Sequence, residues 1–262
     1  MSKKKETAKV IRQEEIAAGI YDMWLETSIS QTAVPGQFVM VYPHDKSTLL
    51  PRPISICEVD PASNSLRLVY RVAGKGTGEF SWYHGGDSID VLGPIGNGFD
   101  VAATDGKRAV LLGGGIGIPP MVQLAKALKE KNTATSITVV AGYRDGTLFL
   151  KESLEKYATF AAACEDGSAG VKGNVIDALN EKNIEADVIY ACGPMPMLRA
   201  IKKYAEEKGI TAYISLEERM ACGVGACLGC VCKTTKEDHH SHVKNARVCT
   251  EGPVFNAEDV EI

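Results

Sequence analysis

Four cysteines constrain this chain more than any other feature of its 262 residues. Cys227 follows Cys222 after four residues, Cys230 follows after two more, and Cys249 arrives with 18 residues between it and Cys230. The segment that carries them is dense in Cys and Gly. It is too short to bury a core of its own, so something other than apolar packing must order it. The x4 and x2 spacing with one distant thiolate is that of a plant-type [2Fe–2S] site. Gly223, Gly225, Ala226 and Gly229 stand between the ligands. A loop wrapping a cluster needs such small residues, because its backbone must approach the inorganic sulfides and donate N–H bonds to them. A structural zinc site is the alternative for the same four thiolates. Zinc sites generally pair two short cysteine hairpins, which the isolated Cys249 suits less well. Cys232 competes with Cys230 for the third position; the spacing favours Cys230, and Cys232 reads as a strand residue. His239, His240 and His242 leave mixed Cys/His ligation open, although a His run amid Lys, Glu and Asp reads as a solvated loop.

Composition narrows the setting. Apolar residues make up 45% and charged residues 24%, the balance of an ordinary globular protein. A net charge of -4 provides no general attraction to nucleic acid or to an anionic membrane. No apolar run reaches membrane-spanning length. The N-terminus carries Lys3, Lys4 and Lys5 with no hydrophobic region after them, so it does not read as a secretory signal. The expected compartment is the cytoplasm, where clustered cysteines bind metal or do redox chemistry rather than form structural disulfides.

The length favours two compact domains plus an appendage. Residues 1–101 read as β-rich: short runs such as Phe38–Tyr42, Leu66–Val72 and Ser88–Leu92 alternate with Pro and Gly turns, as in a small barrel or sandwich. Gly93-Pro94-Ile95-Gly96-Asn97-Gly98-Phe99 is rich in breakers and reads as the exit from that domain. Residues 102–216 change character. Apolar strands at Ala109–Leu112, Ile137–Ala141, Phe160–Cys164 and Val188–Ala191 alternate with helical stretches, one of them placing Leu198, Ile201, Tyr204 and Ala205 on one face. That alternation predicts a parallel sheet covered on both sides, an α/β fold. Residues 217–262 form the cysteine segment.

Two glycine-rich turns suit phosphates. Gly113-Gly114-Gly115-Ile116-Gly117 follows a buried strand and precedes a helix opened by Pro119 and Pro120. There, glycine lets the backbone approach a pyrophosphate, and the helix N-terminus supplies N–H groups. The turn departs from G-x-G-x-x-G, and a plain strand-to-helix turn is its bland reading. Gly74-Lys75-Gly76-Thr77-Gly78 lies downstream of Arg52-Pro53-Ile54-Ser55. Together they offer a cation and a backbone nest, the two things a dinucleotide diphosphate needs.

The order Arg52-Pro53-x-Ser55, Tyr70-Arg71-Val72, Gly76-Thr77, the Gly-rich turn and Cys192-Gly193-Pro194 resembles the ferredoxin–NADP reductase superfamily. With Arg219-Met220-Ala221-Cys222-Gly223-Val224-Gly225-Ala226-Cys227 and Cys249-x-x-Gly252-Pro253-Val254-Phe255, the chain from about Lys9 onward resembles the electron-transfer subunits of class B dihydroorotate dehydrogenases. The resemblance implies an N-terminal FAD-binding antiparallel β-barrel, a parallel-sheet NAD-binding domain and a small C-terminal [2Fe–2S] domain. It makes Arg52 the FAD pyrophosphate anchor, with Pro53 and Ile54 beside it, and puts Ser55 near the flavin ring. By the same likeness Val69, Tyr70 and Arg71 line the flavin and ribityl chain, and Gly76 and Thr77 cap the helix receiving the diphosphate. Gly113, Gly114, Gly115 and Gly117 with Cys192, Gly193 and Pro194 surround NAD, and Cys222, Cys227, Cys230 and Cys249 hold the irons. Arg144 departs from an NAD pattern: no acid stands clearly after the second parallel strand, and an arginine there accepts a 2′-phosphate, leaving NADP open.

A nicotinamide exchanges two electrons together and an iron–sulfur cluster passes one, so a flavin belongs between them. The chain offers no persuasive catalytic triad or acid–base pair. The resemblance implies an FMN-containing catalytic partner subunit, a heterotetramer with two of each chain, a cysteine segment at the partner interface, and a place in pyrimidine (UMP) biosynthesis. A reductase subunit serving a hydrogenase or a ferredoxin-linked complex is the alternative within the same chemistry.

Overall fold

In a computed structural model describing residues 3–237 and 242–262, the chain opens with a long strand, β1 (Lys4–Ala17), that pairs on both of its edges. It meets β2 (Ile20–Glu26) on one side and β6 (Ser88–Ile95) on the other, closing a six-stranded antiparallel barrel with β3 (Phe38–Tyr42), β4 (Arg52–Asp60) and β5 (Ser65–Arg71). Closure removes the free edges an open sheet would expose. Inward side chains such as Val10, Leu25, Val39, Ile56, Leu68 and Ile89 are fully buried. Burial of each is worth about 1.5–3 kcal/mol. A short helix, α1 (Lys75–Phe80), plugs one end, its Phe80 ring edge-on to Tyr70 at 6.0 Å. The barrel expected from the resemblance is the one observed. One detail differs from the sequence reading: β6 continues through Gly93 and Pro94 to Ile95, so the domain exit begins at Gly96. Register with β1 and β3 on either side carries the strand through those breakers.

The parallel sheet follows. β7 (Arg108–Gly114), α2 (Pro119–Lys131), β8 (Ser136–Tyr143), α3 (Lys151–Glu155), β9 (Thr159–Cys164), β10 (Val171–Lys172), α4 (Val175–Glu181), β11 (Val188–Cys192), α5 (Met195–Lys208) and β12 (Thr211–Ser215) alternate along the chain. The strand order β10-β9-β8-β7-β11-β12 reverses between β7 and β11. The two faces separate by parity. Val110 and Leu112 pack with α4 and α5, whereas Ala109 and Leu111 pack with α2. A strand buried on both faces must be apolar throughout, which is why β7 reads as a continuous apolar run.

Barrel and sheet are joined by a buried ion network. Arg67 grips Asp22 with two hydrogen bonds at 2.9 and 2.7 Å and reaches Ser153 in α3 at 3.1 Å. Glu58 accepts from the Tyr157 hydroxyl at 3.1 Å, and the α2 Gln123 side chain takes the Val59 N–H at 2.8 Å. Charges this buried persist only when paired, so the network specifies how the two bodies sit together.

The C-terminal segment is held by both. It carries β13 (Val231–Lys233) and β14 (Asn245–Arg247), which pair with each other, and β15 (Val254–Asn256), which joins β12 antiparallel as the seventh strand of the sheet. Cys232 lies in β13. At the barrel exit, Asn97 donates its side-chain amide to the Thr250 and Glu251 carbonyls at 3.1 and 3.0 Å.

Candidate functional site

A cavity of about 700 Å³ opens where β4 and β5 of the barrel face the end of β12. Its wall includes Arg52, Pro53, Ile54, Ser55, Val69, Tyr70 and Arg71, the stretch the sequence assigns to FAD. Arg52, Arg71 and Arg219 together with the apolar Phe38, Ile54 and Val69 suit an anionic diphosphate attached to a flat aromatic ring. Arg52 is steered in two ways: its Nη1 donates to the Leu50 carbonyl at 2.6 Å, and its guanidinium lies across Gly76. A methyl group on Gly76 would stand 2.8 Å from Arg52 Nε, so the cation and the glycine turn approach only because residue 76 lacks a side chain. Thr77 sets that turn, its hydroxyl accepting the Ala73 N–H at 2.8 Å. Gly76 and Thr77 stand behind Arg52 rather than on the main wall. Tyr70 borders the cavity while its hydroxyl donates to Gln13 at 2.8 Å; burial pushes that phenol well above its usual range.

A second crevice of about 630 Å³ lies at the C-terminal ends of β7, β8, β9 and β11, at the strand reversal where open α/β sheets bind nucleotides. Gly114, Gly115, Ile116 and Gly117 face it from one side, Gly193 and Pro194 from the other. A Cβ on Gly117 would collide with the Cys192 carbonyl, so the two turns touch backbone to backbone. Gly113 and Cys192 lie one layer back, paired in register across β7 and β11. The Cys192 side chain is buried, and loss of water raises its thiol far above the usual value.

The two cavities share a wall. Arg71, Ile116 and Glu217 border both. Glu217 follows β12 by two residues, and the sequence reading passed over it. Desolvation raises its carboxyl, while the charge of Arg71 pulls the other way. The signal available in sequence was position alone: a carboxylate just past the end of a buried parallel strand.

Glu165 was also missed. It follows Cys164, which pairs in register with Tyr143, so Glu165 and Arg144 leave adjacent strands side by side at the crevice rim. Asp145 and Asp166 are committed to their own turns, accepting from Thr147 N at 2.8 Å and Ser168 N at 2.9 Å. The Glu165 backbone N–H donates to the Tyr143 carbonyl at 3.1 Å, and its carboxylate has no hydrogen-bond or ion partner among the described residues. The acid sought after the second strand stands after the third, where a carboxylate suits a ribose diol and opposes a 2′-phosphate.

The stretch leading into the cysteine loop also lines the first cavity, through Arg219 and Met220, as does Pro253 beyond Cys249. Among the described residues no three Cys, His, Asp or Glu side chains gather as one metal ion needs. The thiols nevertheless act on one another, Cys222 with Cys227 and Cys249 with both Cys230 and Cys222. Two irons, each taking two thiolates, call for that association. Cys222 is prepared for the charged form: burial raises its thiol, but N–H groups of Val224, Cys227 and Ala226 outweigh this and bring it down to about 6. Cys230 and Cys249 are buried, and burial followed by the neighbouring Cys230 pushes Cys249 up to about 12. Such a thiol releases its proton only to a metal. Cys232 is buried among apolar residues in β13, in the same cluster as Cys230 and Cys249, and is raised to about 11 by burial. His242 is exposed, and His239 and His240 lie outside the described residues.

Comparison with known proteins agrees with this geometry. The family described as the iron–sulfur cluster binding domain of dihydroorotate dehydrogenase B matches residues 217–261, and the oxidoreductase NAD-binding domain matches residues 111–203. A curated protein of Listeria monocytogenes, the electron transfer subunit of dihydroorotate dehydrogenase B (NAD(+)), is 44% identical over 97% of this chain and 98% of its own length. Its counterpart from Streptococcus pneumoniae is 41% identical over 97% and 98%. The chain belongs to the dihydroorotate dehydrogenase B electron-transfer subunit family. These curated relatives do not favour the hydrogenase or ferredoxin-linked alternative.

Solved structures place the family within a wider fold. An NADH-dependent reduced ferredoxin-NADP oxidoreductase, described for flavin-based electron bifurcation, superposes with a TM-score of 0.85 and 31% identity, covering 97% of this chain and 89% of that one. A ferredoxin NADP+ reductase from Neisseria gonorrhoeae with bound FAD and NADP shares the fold at a TM-score of 0.67 and 16% identity, covering 82% and 94%. The cofactor set of the family, FAD, a [2Fe–2S] cluster and NAD, matches the three sites of this chain. No helix among the described residues is long and apolar enough to cross a membrane.

Proposed function

We propose that this chain is the electron-transfer subunit of an NAD-dependent dihydroorotate dehydrogenase, carrying electrons from the FMN of a catalytic partner subunit to NAD in UMP biosynthesis. One observation carries the proposal. The flavin cavity shares Arg71, Ile116 and Glu217 with the nicotinamide crevice and is also lined by Arg219 and Met220, which lead directly into the cysteine loop, so the flavin site adjoins both of the others.

When bound, FAD exchanges a hydride with the nicotinamide and single electrons with the cluster, which is why it belongs between them. The chain itself positions and insulates. Arg52, with Gly76 and Thr77 behind it, holds the diphosphate, and Pro53, Ile54, Ser55, Val69, Tyr70 and Arg71 hold the flavin and its ribityl chain. Gly113 to Gly117 and Cys192-Gly193-Pro194 admit the dinucleotide. Cys222, Cys227, Cys230 and Cys249 ligate the irons, and Arg219 and Met220 separate cluster from flavin. Residues 1–101, 102–216 and 217–262 are the corresponding functional units, the third leaning on the other two.

The catalytic partner docks on the cysteine loop, in an assembly of two copies of each chain. Val224 and Leu228, 43% and 64% exposed, flank Cys227 and provide an apolar face there. All eight cysteines are free, in keeping with a reducing cytoplasm. A visible spectrum with iron, sulfide and zinc analysis tests the cofactor assignment, and co-purification with an FMN protein tests the partner. A colourless, zinc-loaded chain that purifies alone would overturn the reading.

A further inference from the structure

One side chain ties the two cysteine arms together. Arg247 ends β14, two residues before Cys249, and its Nη1 donates to the Gly225 carbonyl at 3.2 Å, inside the loop between Cys222 and Cys227. Its Nε and Nη2 donate to the two carboxylate oxygens of Glu251 at 3.1 and 2.6 Å. Glu251 in turn accepts the Arg247 backbone N–H at 2.6 Å and the Thr250 hydroxyl at 2.9 Å. The turn between them closes through Thr250 and Glu251 N–H groups on the Arg247 carbonyl, at 3.0 and 2.9 Å. Val248 N–H on the Cys230 carbonyl, at 2.9 Å, fastens the same turn to the third ligand.

We propose that Arg247 and Glu251 are a positioning pair that clasps the Cys249 turn to the Cys222–Cys227 loop and sets opposed charges beside the [2Fe–2S] cluster. The proposal rests on the four cysteines being the cluster ligands. Its physical content has two separable parts. The first is geometric: a planar guanidinium reaches Gly225 and both oxygens of Glu251 at once, which an ammonium does not. The second is electrostatic. A cluster gains one negative charge on reduction, so a nearby cation favours the reduced form and a nearby anion the oxidised form. With both present, and both about 40% exposed to screening water, their effects offset.

Three variants of the holo-complex separate the parts, read by redox titration of the cluster's electron-paramagnetic signal and by the rate of iron loss to a chelator. Glu251→Gln removes the anion and keeps the cation, and the cluster midpoint rises. Arg247→Gln leaves the anion uncompensated and opens the clasp: the midpoint falls and iron loss quickens severalfold. Arg247→Lys keeps the charge but not the fork, so the midpoint stays near the parent value while iron loss still quickens. Midpoints of Glu251→Gln and Arg247→Gln moving in the same direction, as a loosened loop admitting water would produce, overturn the proposal; so do three variants identical to the parent. A parent complex with iron bound elsewhere and no signal overturns the ligand assignment itself, a result distinct from signals that are present and shift alike.

Discussion

In the barrel and the parallel sheet, strands of five to nine residues turn side chains such as Val39, Leu68, Leu111 and Ile189 into fully buried positions. Between Leu216 and Val254 the described strands are three residues long, and Val224 and Leu228 face solvent. The first region is ordered by apolar burial, the second by turn hydrogen bonds, thiolates and anchorage at its ends, where the Leu216 N–H meets the Pro253 carbonyl at 2.9 Å and β15 completes the sheet. Cofactor dependence therefore differs: the flavin and nicotinamide cavities are walls of a folded body, whereas the cluster site is itself held by what it binds.

The largest expected effect is loss of the cluster alone. Cys249→Ser removes the [2Fe–2S] signal almost entirely while flavin absorbance and NADH reduction of a two-electron acceptor persist. Equal loss of FAD would erase the distinction between the two regions. Stripping iron with a chelator under reducing conditions exposes the stretch between residues 219 and 251 to limited proteolysis, while the barrel and sheet survive as protected fragments because both anchors lie outside that stretch. Cleavage spread evenly over the chain would show that cluster and body fold as one.

Smaller effects sharpen the contrast from the side of the body. Arg52→Ala weakens FAD retention with the cluster intact, by about 10- to 100-fold for the loss of a charged hydrogen bond, measured as flavin released on dialysis. Glu165→Gln raises KM for NADH about fivefold, the value of one hydrogen bond near 1 kcal/mol, and narrows the preference over NADPH. Unchanged discrimination would remove Glu165 from the ribose site. Glu217→Gln should flatten a pH dependence in flavin reduction by NADH. Its raised carboxyl stays protonated above the usual carboxylate range, so the parent profile bends there as pH rises and the variant does not.

Local signals in the sequence reached far. Each apolar run read as a strand lies within or over one; in the parallel sheet β7, β8, β9 and β11 announce themselves in that way because a strand buried on both faces has no place for polar residues, whereas the two-residue β10 went unread. Cys222, Cys227, Cys230 and Cys249 stood out by their spacing and the glycine turns by residue type, whereas Arg52 was singled out by the family resemblance and its place before the second glycine turn. What was not legible depends on which strand ends meet. β1 alternates too irregularly to be read as a strand until its two neighbours pair with it. Glu165 and Glu217 carry no motif: one is set at the crevice rim by the register of β8 with β9, the other by the ending of β12 between two cavities.

The chain's own order of residues thus determined which chemistry it carries, since thiolate spacing, glycine turns and apolar periodicity are properties of a few consecutive positions. The adjoining of those chemistries was decided only in three dimensions. Residues 52, 71 and 217 come to line one cavity, and 71, 117 and 217 the next, through barrel closure and strand reversal at β7 and β11, while the return of β15 brings the cysteine segment back to the sheet, and none of these is encoded within reach of any one residue.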